Sequence, residues 1–205
     1  MPLPVGGLMR ETSESVIATL HQCIGALENG GGTGHVAASL KRLVDDLRNA
    51  PGVYHGSTLA HAVDLATRAH FGQERKGVDE PYILHPMRVM LSFSHESAVH
   101  RVVAILHDVP EDTEYRMGFM SDWWTGDPRV IPALDAITQR KYENESREAY
   151  LARVVQNDVA VSVKLADLKD NLRDPWWCPR GVAEKYATDL VALHAVAQER
   201  HLLIP

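Results

Sequence analysis

Apolar residues recur every three or four positions along most of this chain, the period of helices with one buried face. The segment SESVIATLHQCIGALENG carries that pattern from near Ser13 to the Gly30–Gly32 run. HVAASLKRLVDDLRNAPG carries it again until Pro51–Gly52 stops it. STLAHAVDLATRAHFG opens on a Ser/Thr cap and places Leu59, Val63, Ala66 and Ala69–His70 at helical spacing. A polar loop, GQERKGVDE, follows and leads into PYILHPMRVMLSFS. Further helices are expected over about Ala98–Val109, up to ITQR near 137–140, and from SREAYLARVVQN. DVAVSVKLADLKDNLRD is apolar enough for a buried helix, although VAVSV alone also fits a strand. GVAEKYATDLVALHAVAQERH closes the series. No hairpin signal interrupts it, so the pattern predicts an all-α helical bundle. Glycines 30–34 (GGGTG) lack a following Lys-Ser/Thr and read as a linker, not a phosphate loop. The division expected is an N-terminal helical extension over 1–50 and a chemical domain over 56–205.

Composition narrows the functional classes. The 205 residues are 45% apolar and 23% charged, ordinary for a globular protein. Net charge is −6, from 27 acidic and 21 basic residues, and no Lys/Arg block occurs. A nucleic-acid or membrane-surface partner is therefore not expected, while an anionic small molecule is compatible with a local basic cluster. Two distant cysteines, Cys23 and Cys178, suit a reducing compartment. The start, MPLPVGGLMRETSES, does not read as a signal peptide, and no run of apolar residues is long enough to span a bilayer. These features predict a cytoplasmic protein.

The chemistry concentrates in LHDVPEDT, residues 106–113. On a helix Asp108, Glu111 and Asp112 share a face, where three like charges repel unless something positive offsets them. Elsewhere, His85 precedes Pro86, a placement that sets it at the mouth of a helix. His85, His107, Asp108 and Asp167 make a mixed nitrogen and oxygen set that suits Mn, Fe or Zn better than a thiolate-loving metal. Carried on separate helices, they have to converge through tertiary packing, and a cation held there would answer the carboxylate cluster. His21, His55, His61, His95, His100 and His201 read as surface or half-buried residues. Asp167 lies in an apolar segment with Asn171 on its face, and a buried carboxylate without partners is costly, which favours a ligand role.

The blocks GQERKG, PYILHP, LHDVPEDT and KLADLKDNLRD, in that order, resemble the HD-domain hydrolases of the RelA/SpoT type, in particular their small stand-alone alarmone hydrolases. The resemblance covers about residues 57–195. It implies an all-α HD-domain bundle and a metal site formed by His85, His107, Asp108 and Asp167, usually holding Mn(II). It places the water-orienting pair at Glu111 and Asp112, and substrate contacts at Arg75, Lys76 and Asn171. The implied reaction removes pyrophosphate from the ribose 3′ position of guanosine tetra- or pentaphosphate, with no room for a synthetase domain.

Two departures stand out. Pro110 replaces a β-branched aliphatic and should end or kink the helix at about Val109. Leu168, Lys169 and Asp170 replace Arg or Lys, then Leu, then His or Tyr, a change expected to touch base recognition and leave the metal site unaffected. Trp176–Trp177 offer either base stacking or a core cap. Two alternatives accompany the main reading: the same metal chemistry on another nucleotide (an adenosine alarmone, a 3′-phosphorylated cofactor or a 5′-nucleotide), and a non-catalytic nucleotide-binding module. Residues 1–50 are open to a role in homo-oligomerisation or in covering the pocket.

Overall fold

Thr58 starts the first helix as the pattern predicts: its hydroxyl accepts from His61 N at 3.3 Å, satisfying a free amide of the first turn. The computed structural model describes residues 56–76, 79–93, 97–173 and 180–205. The helical pair expected over 1–50 and Trp176–Trp177 lie outside the described residues. Among these, the architecture is all-α, with two isolated β-bridges and no strand. In chain order the helices are α1 (Leu59–Ala69), α2 (Leu84–Leu91), α3 (Ala98–Leu106), α4 (Val109–Asp112), α5 (Met117–Trp123), α6 (Val130–Ile137), α7 (Arg147–Val154), α8 (Asp158–Arg173) and α9 (Arg180–Glu199).

The centre of the bundle is α8, which packs against α2, α3, α6, α7 and α9. Its stretch from Ala160 to Leu168, including Val161, Val163 and Leu165, is buried nearly all round. That explains why VAVSV reads ambiguously: a helix enclosed on most sides has no polar face to show a period. Asn157 caps it by accepting from Ala160 N at 3.0 Å, with Asp158 in its first turn and Arg173 in its last, as the helix dipole favours. Leu134 on α6 is fully buried in the same core. Leu134→Ala is expected to destabilise the fold by about 2–5 kcal/mol, the usual range for truncating an enclosed leucine, measurable by urea unfolding.

The helix expected over Ala98–Val109 is broken earlier. It ends at Leu106, His107 and Asp108 form a turn, and α4 begins at Val109 with Pro110 in its first turn. Proline lacks the amide that would reach Leu106 O, yet suits a helix start, where that amide has no partner anyway. The break frees His107 and Asp108 from a regular helix face.

Arg153 shapes the segment after α6. Its guanidinium donates to the carbonyls of Ala136 (3.1 Å) and Thr138 (2.9 Å), and grips Glu145 at 2.7 Å. Tyr150 adds a bond to Ile137 O at 2.7 Å. Carbonyls that the helix C-terminus leaves without an intrahelical partner are thereby satisfied, and the following turn, Gln139–Lys141, is tied to α4 through Glu111 and Asp112.

Candidate active site

His85 is the second residue of α2, so Pro86 falls in the first turn, where no amide is missed. Its Nδ1 lies 2.7 Å from Asp170 Oδ2, and its Nε2 lies 3.0 Å from Asp167 Oδ1 and 3.5 Å from Asp108 Oδ2. His107 Nδ1 donates to Ala104 O at 2.7 Å, which fixes one proton there and turns Nε2 toward the carboxylates, where the neutral ring offers its lone pair. That Nε2 is buried and finds no hydrogen-bond partner among the described residues. Asp108 Oδ2 and Asp167 Oδ1 nonetheless stand 3.2 and 3.6 Å from it.

An unpartnered buried nitrogen facing two carboxylate oxygens is the arrangement a cation would complete. The ligand atoms of His85, His107 and Asp167 lie within 4.8 Å of one another, and all three residues are buried. The separations of 3.0 and 3.6 Å fall within what two donors about 2.1 Å from one ion can span. The donor set fits a divalent cation, with Asp108 as the nearest fourth group.

The electrostatics agree. Burial disfavours charge on His107, but Asp108 and Asp167 outweigh it and hold the imidazole pKa well above its ordinary value. Burial likewise opposes ionisation of Asp167, yet Lys164 and the two imidazoles hold its carboxyl well below the usual range. Asp167 Oδ2 accepts from Lys164 Nζ at 2.7 Å and Oδ1 from Asn171 Nδ2 at 2.6 Å, so its orientation is set on both sides.

Glu111 and Asp112 sit beside this centre, and the chain itself supplies a positive charge for them. Lys141 Nζ lies 2.8 Å from Glu111 Oε1 and 2.8 Å from Asp112 Oδ1. Glu111 Oε2 also accepts from Gln139 N at 2.9 Å. Tyr82 OH donates to Asp108 Oδ2 at 2.8 Å and reaches Asp112 Oδ2 at 3.3 Å. Burial and these two carboxylates push the phenol pKa far up, so Tyr82 stays a donor. The positive partner sought from the sequence is therefore divided: Lys141 answers Glu111 and Asp112, and the histidine pair faces Asp108 and Asp167.

Arg75 and Asn171 are brought to the same cavity, of about 580 Å³, but are held by other side chains. Arg75 donates to Asp170 Oδ2 at 3.0 Å and Asn171 Oδ1 at 2.9 Å. Lys76 lines the cavity and is exposed.

No protein-family model matches the chain. It is 26% identical over 154 residues to guanosine-3′,5′-bis(diphosphate) 3′-pyrophosphohydrolase of Aquifex aeolicus, covering 71% of this chain and 22% of that protein. It is 34% identical over 134 residues to guanosine-3′,5′-bis(diphosphate) 3′-pyrophosphohydrolase MESH1 of Homo sapiens. That match covers 62% of this chain and 74% of the human protein, and the Mus musculus protein matches to the same extent. The chain belongs to the guanosine-3′,5′-bis(diphosphate) 3′-pyrophosphohydrolase family. It spans about a fifth of the Aquifex relative and about three quarters of the mammalian ones.

In this member of the family the cavity contains groups that sequence reasoning missed. Tyr82 and Lys164 lie inside the quoted PYILHP and KLADLKDN blocks, and Lys164 is three residues before Asp167, so helical spacing could have found it. Lys141 and Tyr186 line the cavity from a turn and from α9, with no local signal. One expectation is overturned. The LKD departure does reach the candidate metal ligands, because Asp170 contacts His85 directly.

Proposed function

We propose that this chain is a metal-dependent phosphohydrolase that removes pyrophosphate from the 3′ position of guanosine tetra- or pentaphosphate, with Mn(II) as its cation. The observation that carries the reading is the convergence of His85, His107 and Asp167 beside Asp108 in a cavity that also holds Glu111, Asp112, Lys76 and Lys141. The activity for which the relatives are named supports the same substrate. His85, His107, Asp108 and Asp167 would hold the cation, which supplies charge for the phosphate oxygens and acidifies water.

The chain's own groups do the rest. Lys76, the exposed cation of the Arg75–Lys76 pair, meets phosphate oxygens at the rim. Arg75 and Asn171 hold the substrate side of the cavity while tied to the α8 carboxylates. Glu111 and Asp112 orient the attacking water and accept its proton; Tyr82 keeps Asp108 and Asp112 in register. Water adds to the phosphorus bonded to the ribose 3′ oxygen, and the P–O3′ bond breaks. The departing ribose oxygen takes up a proton, while the attacked phosphorus leaves the site as part of pyrophosphate. The products balance as GDP and pyrophosphate from guanosine tetraphosphate and one water. Residues 1–50 are open to a role in dimerisation, in covering the cavity, or in neither, and their deletion, read by mass and by KM, tests each. No helix among the described residues is long and apolar enough to cross a membrane. A cytoplasmic setting, read from the cysteine usage, belongs to this proposal.

The deciding experiment incubates Mn(II)-loaded protein with guanosine tetraphosphate. Release of GDP and pyrophosphate together supports the proposal. Mn(II) binding without release rejects the guanosine substrate and retains the metal chemistry on another nucleotide.

Metal affinity should also depend on pH. In the metal-free protein His107 keeps its proton above the ordinary imidazole range because Asp108 and Asp167 outweigh burial. A cation has to displace that proton, so binding tightens as pH rises and levels off above the raised pKa. The slope expected is up to about tenfold per pH unit for one proton released. Calorimetric titration in buffers of different ionisation enthalpy counts the protons; none released over pH 6–8 would contradict the assignment of His107.

A further inference from the structure

His85 and Arg88 are one turn apart on α2, and Asp167 and Asp170 are one turn apart on α8. Residues at that spacing share a helix face, so the two helices present a matched pair of rows to each other. Each imidazole nitrogen of His85 thus meets its own carboxylate: Nε2 faces Asp167 and Nδ1 faces Asp170. We infer that Asp170, in the LKD segment, is a positioning residue that fixes His85 as an Nε2 metal ligand by accepting a hydrogen bond from its Nδ1. The inference rests on the metal reading above and extends it to a residue outside the expected ligand set.

The surroundings of Asp170 explain why it can do this. Its side chain is 9% exposed, and a carboxylate buried that far has to be matched by donors. Arg88 Nε donates to Oδ1 at 2.8 Å and its Nη2 to Oδ2 at 3.1 Å. Arg75 Nη1 adds a third contact at 3.0 Å. Arg88 is itself held by Glu80, at 2.8 and 3.2 Å. Arg173 Nε stands 4.0 Å from Oδ1 as a further cation, and these anchored side chains hold Asp170 toward His85. A carboxylate has no proton to offer here, so the Nδ1 nitrogen is the donor and the lone pair falls on Nε2. Asp167 cannot serve the same purpose, because it stands on the metal side of the ring.

Arg75 gives the network a second connection. It touches Asp170, which holds His85, and Asn171, which holds Asp167. Both metal-facing residues of the α2–α8 pair are therefore oriented through one guanidinium that borders the substrate cavity.

The test compares Mn(II) affinity by calorimetry in the full-length wild type, in Asp170→Ala, and in the charge-balanced double variant Arg88→Met/Asp170→Ala. Loss of a second-sphere partner weakens metal binding by roughly 10–100-fold, and both variants are expected to show it. The double variant removes the uncompensated arginine, so it reports on His85 where the single variant folds poorly. In Zn(II)-loaded wild type, nitrogen-15 spectra should show a slowly exchanging proton on His85 Nδ1, lost in the double variant. Wild-type affinity in both variants, or a His85 proton on Nε2, would overturn the inference while leaving the metal reading intact. Failure of the wild type itself to bind Mn(II) would overturn the metal reading and this inference with it.

Discussion

Asp167→Ala is expected to bind no stoichiometric Mn(II) and to lose turnover by at least about 10³-fold, some 4 kcal/mol of barrier. Asp167 is the point where the centre's contacts meet. Its Oδ1 faces both imidazole Nε2 atoms, and its Oδ2 takes the ammonium of Lys164. Removing it takes away an anionic donor and also leaves Lys164 without its partner in a largely buried position. Breaking one side of such a pair costs about 3–5 kcal/mol, so the variant should also melt earlier than wild type when both are metal-free. The two effects separate experimentally. His85→Ala removes a ligand without stranding Lys164, and should lose the metal as completely with a different stability change. Metal content by elemental analysis decides the matter: full occupancy in folded Asp167→Ala would remove Asp167 from the ligand set.

The candidate metal set that the fold brings together is legible in the sequence because its members fall in compact blocks. His107–Asp108 adjoin, His85 precedes a proline, and Asp167 is a carboxylate in a segment too apolar to be a surface helix. Thr58 at the start of α1 was legible for a similar local reason, a hydroxyl just before an apolar period. What escaped depends on contacts between distant segments. Lys141 reaches Glu111 and Asp112 only because Arg153 and Tyr150 hold the turn after α6. Asp170 read as a change in base recognition, since nothing local reveals that Arg88 lies opposite it on α2. The break at His107 was misplaced by a few residues: proline forbids continuing a helix but does not say where the previous one stops, and here it opens α4 instead.

Glu111→Gln is expected to leave the metal bound and to lower kcat by about 10²–10⁴-fold, the range for losing a positioned proton acceptor. Glu111 is not among the groups facing the imidazole nitrogens, so the ligand set is untouched. The fold should also survive, because the amide oxygen of glutamine can still accept from Gln139 N. The other contact does not survive. The amide nitrogen is a donor, and it would face the ammonium of Lys141, which then leans wholly on Asp112. Two explanations for a slow variant therefore compete, lost proton acceptance and a displaced lysine, and the kinetic constants tell them apart. Lost proton acceptance lowers kcat with KM little changed, since the acceptor acts only as the barrier is crossed. A displaced Lys141 that met substrate phosphates would raise KM and spare kcat. Saturation kinetics on Mn(II)-loaded Glu111→Gln, with metal content measured on the same sample, distinguish these. A wild-type kcat would take Glu111 out of the chemistry and leave Asp112, whose Oδ2 accepts from Tyr82 OH at the longer distance of 3.3 Å, as the proton acceptor.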